Sequence, residues 1–72
     1  IIEQETAAYI SDKAESLGLD VSVRVRAESD GKNPPVLIAE LTGETSESLA
    51  RYLVEELGIP RERQVWNNEG DN

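Results

Sequence analysis

The chain contains no histidine, no cysteine and no methionine. Lack of cysteine excludes a disulfide-stapled miniprotein and a thiolate zinc site. Without His or Cys, a nucleophile or general base would have to be Ser, Thr, Lys, Tyr or a carboxylate. The carboxylates fall on predicted wet helix faces and loops, where acids titrate normally and make poor general acids. A glycine-rich phosphate-binding loop is also missing. The longest apolar run, Val36-Leu37-Ile38-Ala39, is far short of the roughly 20 residues of a transmembrane helix. These absences point to a non-enzymatic domain with no cofactor and no metal.

Basic residues are scarce too: Lys plus Arg number 7 against 15 Asp plus Glu, a net charge of −8. Phosphate backbones and anionic membrane surfaces are repelled, so nucleic acid is not the expected partner. A basic or neutral protein surface is. The 72 residues make one domain at most, and a chain this short buries only about 60% of its unfolded surface.

What the chain does have is a repeated helix-to-strand joint. Glu15-Ser16-Leu17-Gly18-Leu19 leads into Val21-Ser22-Val23-Arg24-Val25, and Glu55-Glu56-Leu57-Gly58-Ile59 leads into Arg63-Gln64-Val65-Trp66. Ala7, Ile10, Ala14 and Leu17 recur at helical spacing and predict a first helix over 2–17. Gly18 can take the left-handed conformation that stops it, with Leu19 folding back on Ala14. Leu19, Val21, Val23, Val25 and Ala27 then alternate with Asp20, Ser22, Arg24 and Arg26, the pattern of a strand with one wet face.

Turn formers over 28–35 end in two prolines that enforce an extended conformation. Residues 36–41 follow as a second strand, apolar on both faces except Glu40, and are read as the middle strand. Thr45 or Ser46 caps a second helix in which Leu49, Leu53 and Leu57 stack. Gly58 ends that helix, Ile59 is expected to pack on Val54, and Pro60 blocks continuation. A short third strand spans 63–66, parallel to the second across a helical crossover. The fold class is α+β, a two-layer α-β-β-α-β sandwich with two helices on one face of a three-stranded sheet. Residues 1–66 form the domain and 67–72 a flexible polar tail.

Two segments, Asp30-Gly31-Lys32-Asn33 and residues 67–72, faintly resemble calcium loops but lack the alternating oxygen ligands and terminal Glu. The charge layout says more. Arg24, Arg26, Arg61 and Arg63 lie on or beside strands, whereas the acids concentrate on or at the helices. Val36 and Ile38 are uncovered if Leu37, Ala39 and Leu41 face the helices, and in the opposite register those three are; Trp66 either joins the uncovered residues or folds over the core edge. Uncovered apolar groups among arginines mark a partner surface. The expected sheet-side surface is Arg24, Arg26, Val36, Ile38 and Arg63. Glu15, Glu47 and Glu55 form its helix-side counterpart, in a head-to-tail contact with another copy or subunit.

The element order, with Leu49-Ala50-Arg51-Tyr52-Leu53-Val54-Glu55-Glu56-Leu57-Gly58-Ile59 and a short strand around Val65, resembles the soluble C-terminal domain of stage III sporulation protein AF. That domain belongs to the ring-building-motif group of sporulation-channel and secretion components. The resemblance covers 2–66. It implies protein partners in a membrane-associated complex between mother cell and forespore, self-association through helix-against-sheet contacts, and a membrane anchor upstream of Ile1. Two alternatives stand beside it. Ser46-Glu47-Ser48-Leu49 with the following Leu-Val-Glu-Glu-Leu-Gly-Ile-Pro resembles the prosthetic-group helix of acyl carrier proteins, implying modification of Ser46 or Ser48. A small-ligand regulatory module of the ferredoxin-like kind is the other.

Overall fold

The structure, a computed structural model, describes residues 2–67. Its elements are α1 (Ile2–Ser16), β1 (Val21–Glu28), β2 (Val36–Gly43), α2 (Glu47–Leu57), a 3-10 turn (Arg61–Arg63) and β3 (Gln64–Asn67). This is the expected α-β-β-α-β order. The sheet order is β1-β2-β3, with β1 antiparallel and β3 parallel to β2. The two helices share one face of the three-stranded sheet. The middle position read for 36–41 holds, and the strand runs on to Gly43.

Local chemistry sets the helix ends. The Gly18 backbone has φ 74°. This lets the Leu19 N–H bond the Ala14 carbonyl at 2.9 Å and the Gly18 N–H bond Glu15 at 3.0 Å, which satisfies the last carbonyls of α1. At α2, the Ser46 Oγ accepts from the Leu49 N–H at 3.2 Å, making Ser46 rather than Thr45 the cap. At its other end the N–H groups of Gly58 and Ile59 both close on the Leu53 carbonyl. Ile59 thereby enters the core, 2% exposed, while Val54, its expected partner, lies outward at 38%.

The core comprises Ile10, Ala14, Ala39, Leu41, Leu49, Leu53 and Ile59. On α1 the buried stripe is Thr6, Ile10 and Ala14, not the expected set: Ala7 is half-buried and Leu17 exposed. Leu17 follows the last helical residue and so leaves the line of the stripe. Small residues at 6 and 14 let α1 lie close on β1.

The third strand begins one residue later than expected. Pro60 and the Arg63 N–H bond to its carbonyl (2.9 Å) wind 61–63 into a 3-10 turn, which moves Arg63 out of the strand. Asn67, expected in the tail, is the last residue of β3; 68–72 lie outside the described residues.

Candidate functional site

Register and alternation assign every strand side chain to a face. Val21, Val23, Val25 and Ala27 pair with Gly43, Leu41, Ala39 and Leu37, while Gln64 and Trp66 pair with Ala39 and Leu41. Because Ala39 and Leu41 are fully buried, this set faces the helices. Trp66 therefore packs against the core and does not join the open face. The opposite face carries Ser22, Arg24, Arg26, Glu28, Val36, Ile38, Glu40, Thr42, Val65 and Asn67 by the same register. No helix covers it. Val36 is 37% and Val65 41% exposed, and Ile38 is half-buried between them and the arginine row.

The electrostatics differ from the expected basic face. Arg26 donates from Nε to Glu40 Oε2 at 2.8 Å and from Nη1 to Glu28 Oε2. The Glu40 bond first and the Glu28 bond second hold its guanidinium pKa above the ordinary arginine value. One arginine thus meets two carboxylates, and with Arg24 the face is balanced in an otherwise acidic chain. Arg24 sits opposite Glu40, yet among the described residues only Arg26 and Arg61 form ion pairs. Arg24 is the cation this face can offer a partner.

Of the sheet-side candidates, the fold brings together Arg24, Arg26, Val36 and Ile38, with Arg63 just ahead of β3 in the 3-10 turn. Val65 belongs with them; its alternation with Trp66 on a strand parallel to β2 was the available signal. The helix-side candidates are scattered. Glu15 is exposed near the end of α1, Glu55 near the end of α2, and Glu47 at the start of α2. Glu47 is engaged within its own chain: Arg61 donates from Nη1 to Oε1 at 3.1 Å and from Nη2 to Oε2. The Arg61 hydrogen bond first, then its charge, hold the Glu47 carboxyl below the usual range. One carboxylate expected to reach another copy is therefore spent locally.

Two open depressions flank these surfaces. Glu28, Ser29, Asp30, Asn33, Pro34 and Val36 line one of about 520 Å³. There Asp30 Oδ1 accepts from the N–H groups of Lys32 (2.8 Å) and Asn33 (2.9 Å), so this loop uses its carboxylate to hold a turn. The other, about 460 Å³, lies between the helices beside Lys13, Leu17, Arg51, Tyr52 and Glu55, with Lys13 Nζ 5.4 Å from the Tyr52 ring centre. Ser48 also lines this groove, while the Ser46 hydroxyl is occupied as the helix cap. No helix of the described residues is long and apolar enough to cross a membrane.

Comparison with protein-family models, curated proteins and solved structures finds no match to this chain.

Proposed function

We propose that this is a non-enzymatic assembly domain that docks a protein partner on the open face of its sheet. The supporting observation is that Val36, Ile38 and Val65 share a face that no described helix covers, with Arg24, which forms no ion pair among the described residues. An apolar centre with an adjacent charge combines desolvation with orientation. The occupant that best complements it is the outer face of α2 in another copy, where Val54 is exposed between Glu55 and Arg51. The resemblance in element order to stage III sporulation protein AF supplies the setting: a soluble part of a membrane-associated channel complex in a sporulating bacterium, anchored upstream of Ile1.

Sedimentation velocity of the wild type and of Ile38→Glu, over a concentration series at low and high salt, tests this. A glutamate at 38 lies opposite Arg26 in the register, where opposite charges pair favourably, so the fold should tolerate it. The wild type should associate in a salt-sensitive manner and the variant clearly more weakly. Equal association of both, or a wild type that stays monomeric throughout, would contradict self-assembly through this face.

A further inference from the structure

Val36 and Val65 are exposed on the open sheet face, and Val54 on the outer side of α2. The other large apolar side chains left exposed among the described residues belong to α1 and the residue after it. They are Ile2 (65% exposed), Tyr9 (59%) and Leu17. A lone exposed apolar residue is ordinary, but several on one side of one helix mark a surface.

Contacts at both flanks of α1 fix which side this is. Glu3 accepts from the Ala27 N–H and marks the flank toward β1. Lys13 lies over the Tyr52 ring and marks the flank toward α2. Tyr9 stands one turn before Lys13 and Ile2 three turns before it, so all three share the α2 flank. Lys13 and Leu17 line the groove of about 460 Å³ between the helices. The groove therefore continues along α1 as an apolar stripe.

Acids border it. Glu5 and Asp12 follow Ile2 and Tyr9 by one turn, on the outer side of the stripe, and Glu55 and Glu56 line the groove from α2. None of these carboxylates forms an ion pair among the described residues. The cations present are Arg51 and Lys13, whose ammonium lies over the Tyr52 ring.

We propose that this groove docks a basic amphipathic helix of another protein. The apolar side of that helix lies on Ile2, Tyr9, Leu17 and Tyr52, and its lysines or arginines meet the bordering carboxylates. Charge selects this occupant. The two helices carry four and three carboxylates against Lys13 and Arg51, so neither helix of a second copy offers a basic face. Anionic lipid and nucleic acid are repelled by the same carboxylates. Val54, the α2 residue given to the sheet of another copy, lies about 160° around the helix from Tyr52. The groove is thus a separate surface, and its role does not depend on docking at the open sheet face.

The probe is a synthetic peptide of about 18 residues with leucine at heptad positions a and d and lysine on the remaining faces. A peptide of the same composition in scrambled order is the control. Titrated into isotopically labelled protein, the patterned peptide should shift the amide resonances around Tyr9 and Leu17 together with those of Tyr52 and Glu56. It should bind about tenfold more tightly than the scrambled one, because only a patterned helix buries its leucines against the stripe. Tyr9→Gln changes an exposed side chain, leaves the core intact and should remove most of that difference. Glu5→Gln with Asp12→Asn should weaken both peptides at low salt. Equal binding of the two peptides would reduce the contact to bulk charge and overturn the proposal. So would no binding, shifts confined to other parts of the molecule, or a preference indifferent to Tyr9→Gln.

Discussion

Gln64 ties three elements together. Its Nε2 donates to the carbonyls of Ala50 in α2 (3.2 Å) and Ile59 (3.1 Å), and its Oε1 accepts from Trp66 Nε1 at 3.0 Å. Replacing it with alanine removes three neutral hydrogen bonds. The Ala50 carbonyl keeps its helical partner and loses little, whereas Ile59 and the indole lose partners in a half-buried site. At about 1 kcal/mol per net hydrogen bond, the expected loss is about 2 kcal/mol. A 72-residue domain has only about 4–11 kcal/mol in total on a per-residue basis. The melting temperature should therefore fall by roughly 10 °C.

Gln64→Glu separates hydrogen bonding from shape. Its carboxylate could still accept from Trp66 but would face two carbonyl oxygens, which raises its folded pKa above the unfolded value of about 4.3. The penalty should be absent below the unfolded pKa and grow as pH rises from there to the folded pKa. Urea unfolding followed by circular dichroism and by the single tryptophan, at about pH 4 and pH 7, measures both variants. An alanine variant within about 0.5 kcal/mol of wild type, or a glutamate penalty independent of pH, would refute the role given to Gln64.

Gly43 has φ 141°, and a Cβ there would stand 2.6 Å from the Asp20 carbonyl oxygen; Gly43→Ala should cost about 1–3 kcal/mol in denaturant unfolding. Asp30 is held below the ordinary carboxyl range by the Asn33 N–H first and the Lys32 N–H second. Its depressed folded pKa means the stabilisation is present above the unfolded value of about 3.8 and is lost as pH falls through the folded pKa. The stability gap between wild type and Asp30→Ala should accordingly narrow in acid, and an NMR titration should place the Asp30 midpoint below the ordinary value.

Most of the fold was legible because its signals are local. Strict alternation over 19–27 permits only a half-wet strand, and Gly18 and Gly58 mark helix ends by their backbone freedom. What escaped depends on contacts distant in sequence. Thr6 reads as polar, yet its small size suits the close approach of α1. Arg63, the last residue of the 3-10 turn, reads as the start of the third strand because Pro60 permits either. The site was half legible. Alternation put Arg24, Arg26, Val36 and Ile38 together, but nothing short-range showed Arg26 neutralised between Glu28 and Glu40 or Glu47 held by Arg61. A balanced face instead of a basic one follows from those pairings, and it shifts the weight of recognition to the apolar centre and Arg24.

The most direct test of the docking face is to follow backbone amide resonances as the protein is concentrated at low salt. Docking on the open face predicts shifts gathered at Arg24, Val36, Ile38, Glu40 and Val65, with a second group on the outer face of α2. Shifts that leave the open-face residues unmoved, or no shifts at all, would contradict it.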